Sequence, residues 1–507
     1  MSLLSFFSER FQQISYFSII NLKRLYPDVY FYFVESEFYY FFKSIVIKYD
    51  IKINFFELGS KVPIMERKEE EERSHVLDPN DQIIVIGRPK EILKKYIPPN
   101  PIIFVTIPFR SISFRSSVWR NACLNFSEMT DMKNMFIPRS RLGYISIPIG
   151  DFNDIFLNDH IYGTKSLKSC VSLLDFVVGG FERVYGVGPL SSSILPGFIE
   201  TNNGNYDEKN VLIMMDRIVD LMGIIKMNTS YIGTLQEYGV LDEKSEKLLT
   251  PESLSFLMSI TESKNVSILD ENDEIFKKLS LLPLDVALKQ VQNLDIKTTE
   301  VEKSQQQHIK LLQSLNNIFN NTFFPEVFMK IQKQKKKYEP EIYGRCIVDA
   351  PIDIGYSFRL LSILNNYKSK GTKSIARLVA VKHGLSKFAK WNRISDSIAK
   401  QKDLPFAEKV NPKPSFTTLL GSILSWILTD KRKGNTFPIK EFYSSSNNQL
   451  TKEKKHWFIL TVGGMSISEL FAFKYIASKC RPNDEFIFLT TKMLNQNQFI
   501  HDLIENI

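Results

Sequence analysis

Nowhere does this 507-residue chain run to about 18 uncharged apolar positions, the length a helix needs to cross a bilayer. The most membrane-like stretch, YFYFVESEFYYFFKSIVI, is interrupted by Glu35, Glu37 and Lys43. The start, MSLLSFFSER, has neither a basic n-region nor a small-residue cleavage site, so no signal peptide is expected. A soluble protein with at most a peripheral membrane role follows. Cysteine is scarce too. Cys123, Cys170, Cys346 and Cys480 lie far apart with no C-x-x-C, which excludes a disulfide framework and fits reduced thiols in a cytosolic protein. His75, His160, His308, His383, His456 and His501 are scattered with no H-x-x-x-H, so no metal site is expected. The P-loop pattern G-x-x-x-x-G-K-[ST], the G-x-S-x-G elbow and the kinase signatures are all missing. We therefore expect no catalytic residues and no cofactor.

Glycine and proline number only 22 each, too few for low complexity, whereas phenylalanine and tyrosine reach 39 and 20, material for packed cores. The length is too great for one core and suggests about three domains. The net charge of +9 is spread thinly. Its densest tract, Lys330 to Lys337, reads as a solvated helix end, and without interleaved aromatics nucleic acid is not an expected partner. Acidic protein helices or an anionic membrane surface are better matches to that charge.

Residues 1–118 read as an α/β unit, with strands expected at 29–34, 81–89 and 101–108. Short strands such as LGYISIPIG follow, then KSCVSLLDFVVGGFERVYGVGP, which has helical spacing throughout and ends at glycines and a proline. From 224 to about 430, apolar residues recur at three- and four-residue steps, as in the stripe Leu311, Leu312, Leu315 and Ile318. Helix-to-helix packing is the ordinary use of such a stripe. The polar stretch 431–455 reads as a linker.

Two segments almost 250 residues apart read as strands of one parallel sheet. VLIMMD (211–216) and HWFILTV (456–462) are near-continuous apolar runs, the mark of strands buried on both faces. The second leads through Gly463–Gly464 into a helical pattern and then EFIFLTT, a βαβ unit. A sheet closed by the C-terminal segment must hold the middle of the chain as an insertion. The Gly463–Gly464 turn and Asp216 could serve a nucleotide phosphate and its Mg²⁺. The bland reading of Asp216, Arg217 and Asp220, an ion-pair knot at a strand end, is preferred because no P-loop accompanies them.

VLIMMDRIVDLMGIIKMNTSYIGTLQEYGV resembles the SM family, the Sec/Munc-type syntaxin-binding regulators of membrane fusion. That family carries an apolar strand, D-R-x-x-D and then T-Y-E-x-x-x-D-E. Here Asp216, Arg217, Val219 and Asp220 match, followed by Ser230, Tyr231, Gly233 and Glu237. The family's Thr-Pro is Gly223–Ile224, the Glu after Tyr is Ile232, and the first Asp of the closing pair is Gln236. Near the C-terminus Gly463, Gly464, Ser466 and Glu469 fit the family's strand–Gly-Gly motif, and Thr490, Thr491, Lys492, Asn495 and Phe499 fit its T-T-K-x-x-N-G-x-x-[WF] ending, with Gln496 at the glycine. That ending, with the Tyr-Gly after Glu237, is most like the vacuolar protein sorting-associated protein 33 branch.

The resemblance implies an α/β fold shaped as an arch. It would comprise an N-terminal α/β domain (1–118), a central parallel-sheet domain in two parts (119–222 and 435–507) and a largely helical inserted domain (223–434). It also implies a non-enzymatic regulator of vesicle docking and membrane fusion that binds SNAREs of the syntaxin and R types and promotes their assembly. The branch implies a subunit of an endolysosomal tethering complex of the HOPS or CORVET type, cytoplasmic and held peripherally on endosomal, lysosomal or vacuolar membranes through its partners. The motif residues are expected to be structural. Another SM branch, a tethering scaffold without SNARE binding and, more distantly, a nucleotide-dependent α/β enzyme are the other readings.

Overall fold

In the computed structural model the described residues are 3–59, 81–87, 102–106, 126–131, 136–139, 142–150, 152–158, 160–201, 209–237, 262–263, 266–267, 269–270, 273–294, 299–321, 354–366, 372–399, 410, 416, 418–430, 442–445 and 453–505. The basic tract at 330–337, the acidic run at 66–73, the SLSFLMSI segment, Cys123 and Cys346 lie outside them.

Apolar strand-length runs in the first 131 residues assemble a parallel sheet. Its strands are β1 (Phe31–Val34), β2 (Asn54–Glu57), β3 (Ile83–Gly87), β4 (Ile102–Thr106) and β5 (Phe126–Asp131), in the order β2-β1-β3-β4-β5. The fifth strand lies beyond residue 118, so this sheet extends further along the chain than the expected N-terminal unit. Two helices account for the aromatic N-terminus, α1 (Leu3–Leu25) and α2 (Ser36–Lys48). Helix α1 packs on both sheets. Its Ile19 and Leu22 pack with the first sheet, while Phe7 and Phe11 pack on the second, where the Phe7 ring meets Phe458 edge-on at 5.2 Å.

The second sheet has seven strands. Along the chain they are β6 (Ile137–Arg139), β7 (Tyr144–Ser146), β8 (Arg183–Val187) and β9 (Asn210–Asp216), then β12 (Phe442–Ser444), β13 (His456–Val462) and β14 (Glu485–Thr490). A small antiparallel pair, β10 (Glu262–Ser263) and β11 (Val266–Ser267), stands apart. The order β12-β8-β9-β13-β14-β7-β6 places β13 in the middle. It pairs in parallel with β9 from His456 opposite Asn210 to Val462 opposite Asp216. The two distant apolar runs therefore are neighbours in one sheet. Two details differ from the sequence reading. The stretch after Gly179–Gly180 is strand β8, because the two glycines, at φ +83° and +92°, end helix α3 (His160–Val178) early. Within the expected linker, Phe442–Ser444 forms an antiparallel edge strand against β8, where its backbone finds partners.

Both faces of this sheet are covered, which is why its central strands are apolar without alternation. On one face Leu212, Met214, Phe458, Leu460 and Val462 meet α3 and α4 (Pro189–Thr201). On the other, Val211, Ile213, Met215, Trp457 and Ile459 meet the helices of the inserted run. These are α6 (Tyr231–Glu237), which follows the single turn α5 (Met222–Ile225), then α7 (Glu274–Leu279), α8 (Leu284–Gln292) and α9 (Thr299–Asn321). In α9 the stripe works as helix packing: Leu311, Leu312 and Leu315 are fully buried and Ile318 packs beside them. A second cluster joins α10 (Ile354–Asn366), α11 (Thr372–His383) and α12 (Leu385–Ala399) to the C-terminal helix α15 (Gln496–Glu505). Also in the cluster on the sheet face are α13 (Leu419–Thr429) and α14 (Ile467–Cys480), which pack on each other. Among the described residues no helix is long and apolar enough to cross a membrane.

Five apolar side chains of β13, Trp457 to Leu460 and Val462, are fully buried. At about 1.5–3 kcal/mol each they contribute on the order of 10 kcal/mol, comparable to the about 5–15 kcal/mol net stability of a whole domain. Truncation before His456 should therefore give an insoluble product, since β9 would lose its partner and expose an edge. Soluble yield and cooperative melting of 1–455 beside the full chain check this. A soluble fragment with an unchanged melt would contradict the shared sheet.

Candidate functional site

The C-terminal ends of β9 and β13 are where an open parallel sheet places its ligands. In this chain that edge is filled by protein. Strand β9 ends at Asp216, and a single 3₁₀ turn, Arg217–Val219, carries Arg217 into the interior, where it is fully buried. Its guanidinium pairs with Glu469, 252 residues on: Nη1 donates to Oε1 at 2.9 Å and to the Asp220 carbonyl at 3.0 Å. Glu469 is thus a carboxylate partner of Arg217 that the sequence reading did not name. Both aspartates satisfy helix N-termini, whose first amides lack partners within the helix. Asp216 accepts from the amides of Leu190 (2.7 Å) and Ser191 (3.1 Å) and from the Ser191 hydroxyl, at the start of α4. Gly188, at φ +106°, makes this possible, because a Cβ there would lie 2.5 Å from the Asp216 carboxylate. Asp220 accepts from Gly223 (2.8 Å) and from Leu420 (3.0 Å), the latter at the start of α13.

Glu469 has a second task. Ser466 caps α14 by accepting from the Glu469 amide, and the Glu469 carboxylate reaches back to the Ser466 amide at 3.0 Å, a reciprocal capping box. Burial pushes the Glu469 carboxyl above the usual range, with the Arg217 charge opposing and Asp220 adding to the rise. The next amide, Ser468, donates to Gln236 at 3.3 Å. Gln236 stands at the family's acidic position. As a neutral amide it also donates to the Leu494 carbonyl at 2.6 Å, while Asn495 donates to the Gln236 carbonyl at 3.4 Å.

The Gly463–Gly464 turn is likewise closed to an anion. With φ at +90° and +105° it needs glycine, and a Cβ would strike Phe156 at 2.6 Å or Leu494 at 2.5 Å. The Gly463 amide donates to the Thr491 hydroxyl at 2.9 Å. Thr490 donates to the Lys492 carbonyl at 2.8 Å, and Lys492 pairs with Asp502 of α15 at 3.1 Å. A small pocket of about 10 Å³ is lined by Phe152, Asn153, Leu494, Phe499 and Asp502, the last held by Lys492.

The remaining motif residues tie down the helices. Glu237 takes a bidentate grip on Arg359 of α10, at 2.6 and 2.9 Å, and Arg359 Nε donates to the Ile225 carbonyl at 3.1 Å. Both side chains are buried. Burial acts to lower the Arg359 pKa, but the adjoining Glu237 outweighs it and holds the guanidinium above its ordinary value. Arg359 escaped the sequence reading. Its signal was there, a lone cation in the apolar helix IGYSFRLLSIL that must find a buried carboxylate. Tyr231 bonds His308 Nδ1 of α9 at 2.9 Å, and burial, helped by Asp273, pushes its phenol well above the ordinary value. Asp273 caps α7 through the Phe276 amide at 2.7 Å. His308 Nε2 lies 3.4 Å from it, close but off the line of a hydrogen bond. Burial works to raise the Asp273 carboxyl, yet His308, the Phe276 amide and Ser304 together hold it below the usual range.

The arrangement fixes elements to one another. Among the described residues no group of three or more His, Cys, Asp or Glu side chains is placed to hold a metal ion.

Glu469→Gln should cost about 3–5 kcal/mol in denaturant unfolding, because it strands the buried Arg217 charge. The double variant Arg217→Met/Glu469→Gln should recover much of that loss, and a cycle showing no coupling would contradict the pair. A second expectation concerns pH. Since the Asp273 carboxyl is held low in the folded state, the stability it contributes is present above the unfolded aspartate pKa and lost as pH falls through the folded value. The melting gap between wild type and Asp273→Asn should therefore be full at neutral pH and close below about pH 4. A gap that widens in acid would contradict this.

Residues 296–502 match the model of the Sec1 family. No curated protein sequence matches the chain. Among solved structures, the Unc18–syntaxin 1 complex from Monosiga brevicollis is similar over 99% of each chain, with a TM-score of 0.56 and 11% identity. The SM protein Vps45 in complex with the Qa SNARE Tlg2 matches over 99% of this chain and 98% of that one, with a TM-score of 0.54 and 10% identity. Sly1p in complex with an N-terminal peptide of Sed5p gives 98% and 98%, a TM-score of 0.51 and 12% identity. At such identities the shared property is the fold. The chain thus has the SM fold along nearly its whole length, and its residues 296–502 match the Sec1 family.

Proposed function

We propose that the chain is an SM protein that binds SNARE helices and promotes their assembly without enzymatic chemistry. The observation that carries this reading is the near-complete overlap with Unc18 in its syntaxin complex, joined to the Sec1 family match. The filled sheet edge agrees with it, since the place an α/β enzyme would use for ligand is occupied by Asp216, Glu469 and Gln236. A rigid surface that holds two SNARE helices in register removes much of the entropy cost of starting their bundle. The net charge of +9 favours fast, salt-sensitive capture of acidic segments.

Within the family we place the chain in the vacuolar protein sorting-associated protein 33 branch, as a subunit of an endolysosomal tethering complex of the HOPS or CORVET type. What supports this is the T-T-K-x-x-N ending and the Tyr238–Gly239 step after Glu237. The protein would be cytoplasmic and reach endosomal, lysosomal or vacuolar membranes through its partners.

A pull-down with the cytosolic domains of syntaxin-type and R-type SNAREs should show enrichment over a control helix, weaker at high salt. No enrichment at either salt would overturn SNARE binding, and co-purification of tethering subunits without SNAREs would favour a scaffold.

A further inference from the structure

The middle strands of the second sheet are held at their C-terminal ends by buried groups around Arg217 and Glu469, and at their N-terminal ends by a row that solvent can reach. Asn210 opens β9, His456 opens β13 and Glu485 opens β14, and the register sets the three side by side with His456 in the middle. His456 Nδ1 lies 3.2 Å from Asn210 Oδ1, and its Nε2 lies 3.8 Å from Glu485 Oε2. The His456 side chain is 24% exposed and that of Glu485 39%, so protons reach the ring from solvent.

The chemistry of this row leaves the neutral ring one tautomer. The Asn210 amide nitrogen donates to the Val178 carbonyl at 2.9 Å and to the Gly180 carbonyl at 3.2 Å, so the atom turned to His456 is its oxygen, which must accept. A neutral His456 therefore carries its hydrogen on Nδ1, and the bare lone pair of Nε2 faces a carboxylate. A second proton, on Nε2, turns that opposition into attraction and keeps the bond to Asn210. The neighbouring charges agree with this assignment. Lys454, two residues earlier and so on the same face, pairs with the other Glu485 oxygen at 2.6 Å and leaves Oε2 to the ring. Lys455 and Asp484 stand one residue out of step and serve the other face, Lys455 pairing with Glu182 at 2.7 Å and Asp484 accepting from Trp457 Nε1 at 2.8 Å. Lys209, at the start of β9, gives its carbonyl to the His456 amide at 2.8 Å.

We propose that His456 is a proton-operated strap across the three central strands. With two ring protons it joins β9 to β14 over β13, and with one it holds β9 alone. The stability that the second proton brings is full below about pH 6.5, where a histidine of the unfolded chain is charged, and is lost as pH rises. Mild acidification thus tightens the sheet that carries the inserted helices. The device is independent of SNARE binding, since the isolated chain should show it.

Nitrogen NMR of the full chain labelled in its histidines reads the ring directly, the His456 signals being those missing from His456→Gln. At about pH 8 the neutral ring should be the Nδ1–H tautomer, the less common one in free histidine. In melting experiments the difference between wild type and His456→Gln should widen as pH falls from about 8 to about 5.5, by a roughly two- to fivefold change in the folding equilibrium, the range of an exposed ion pair. In a Glu485→Gln background the widening should vanish. Should His456→Gln perturb folding, Glu485→Gln alone answers, because its cost relative to wild type should be larger in acid. An Nε2–H tautomer at about pH 8, or differences that stay flat or narrow in acid, would overturn the proposal. So would widening that persists in the Glu485→Gln background, an outcome that assigns the proton's effect to another partner.

Discussion

A buried guanidinium must have a carboxylate partner, and much of this architecture follows from where two of them find theirs. Arg217 leaves β9 directly into the interior and takes Glu469 from a helix 252 residues later. That pairing sits beside the β9–β13 register and requires the C-terminal segment to lie in the middle of the second sheet. Arg359 does the same for the inserted helices, joining α10 to Glu237 at the end of α6 and to the backbone of Ile225. Around these pairs, Asp216 and Asp220 hold the first turns of α4 and α13, and Gln236 links α6 to α14. Removing one member leaves a charge or a row of amides unsatisfied in the interior, a steep penalty for partial opening.

This network also bears on chemistry. A parallel sheet with a glycine turn and an aspartate at the strand ends has the outline of a nucleotide site. Here each anion-attracting feature already has an occupant of the same chain. The amides at the start of α4 hold Asp216, those at the start of α14 hold Ser466, Glu469 and Gln236, and Gly463 donates to Thr491. The polar groups act as joints. Activity of the kind proposed would then reside on outer surfaces that the joints keep rigid, in keeping with a protein that presents a template to helices.

The parts legible in the sequence were those written in short-range pattern. Apolar runs of strand length marked β9, β13, β14 and three strands of the first sheet, β1, β3 and β4, and the glycine turn before α14 marked a βαβ unit. From their separation the insertion followed. What pattern could not supply was the choice among distant partners. Asp216 and Asp220 flank Arg217 in sequence, yet their carboxylates accept from the amides of helix N-termini, and nothing local records that. Strand β12 was hidden because an edge strand of three half-buried residues needs little hydrophobic signal. Strand β8 was hidden because its residues, RVYGV, continue a helical-looking run past two glycines.

The central claim is that the sheet and the inserted helices are one cooperative unit joined through these buried pairs. Native-state hydrogen exchange on the full chain tests it most directly, because amides that open together share one opening free energy. The account predicts that the slowest amides of β9, β13 and α10 exchange with the same free energy and respond equally to denaturant. Exchange of α10 through a separate, much cheaper opening that leaves β9 and β13 protected would contradict it.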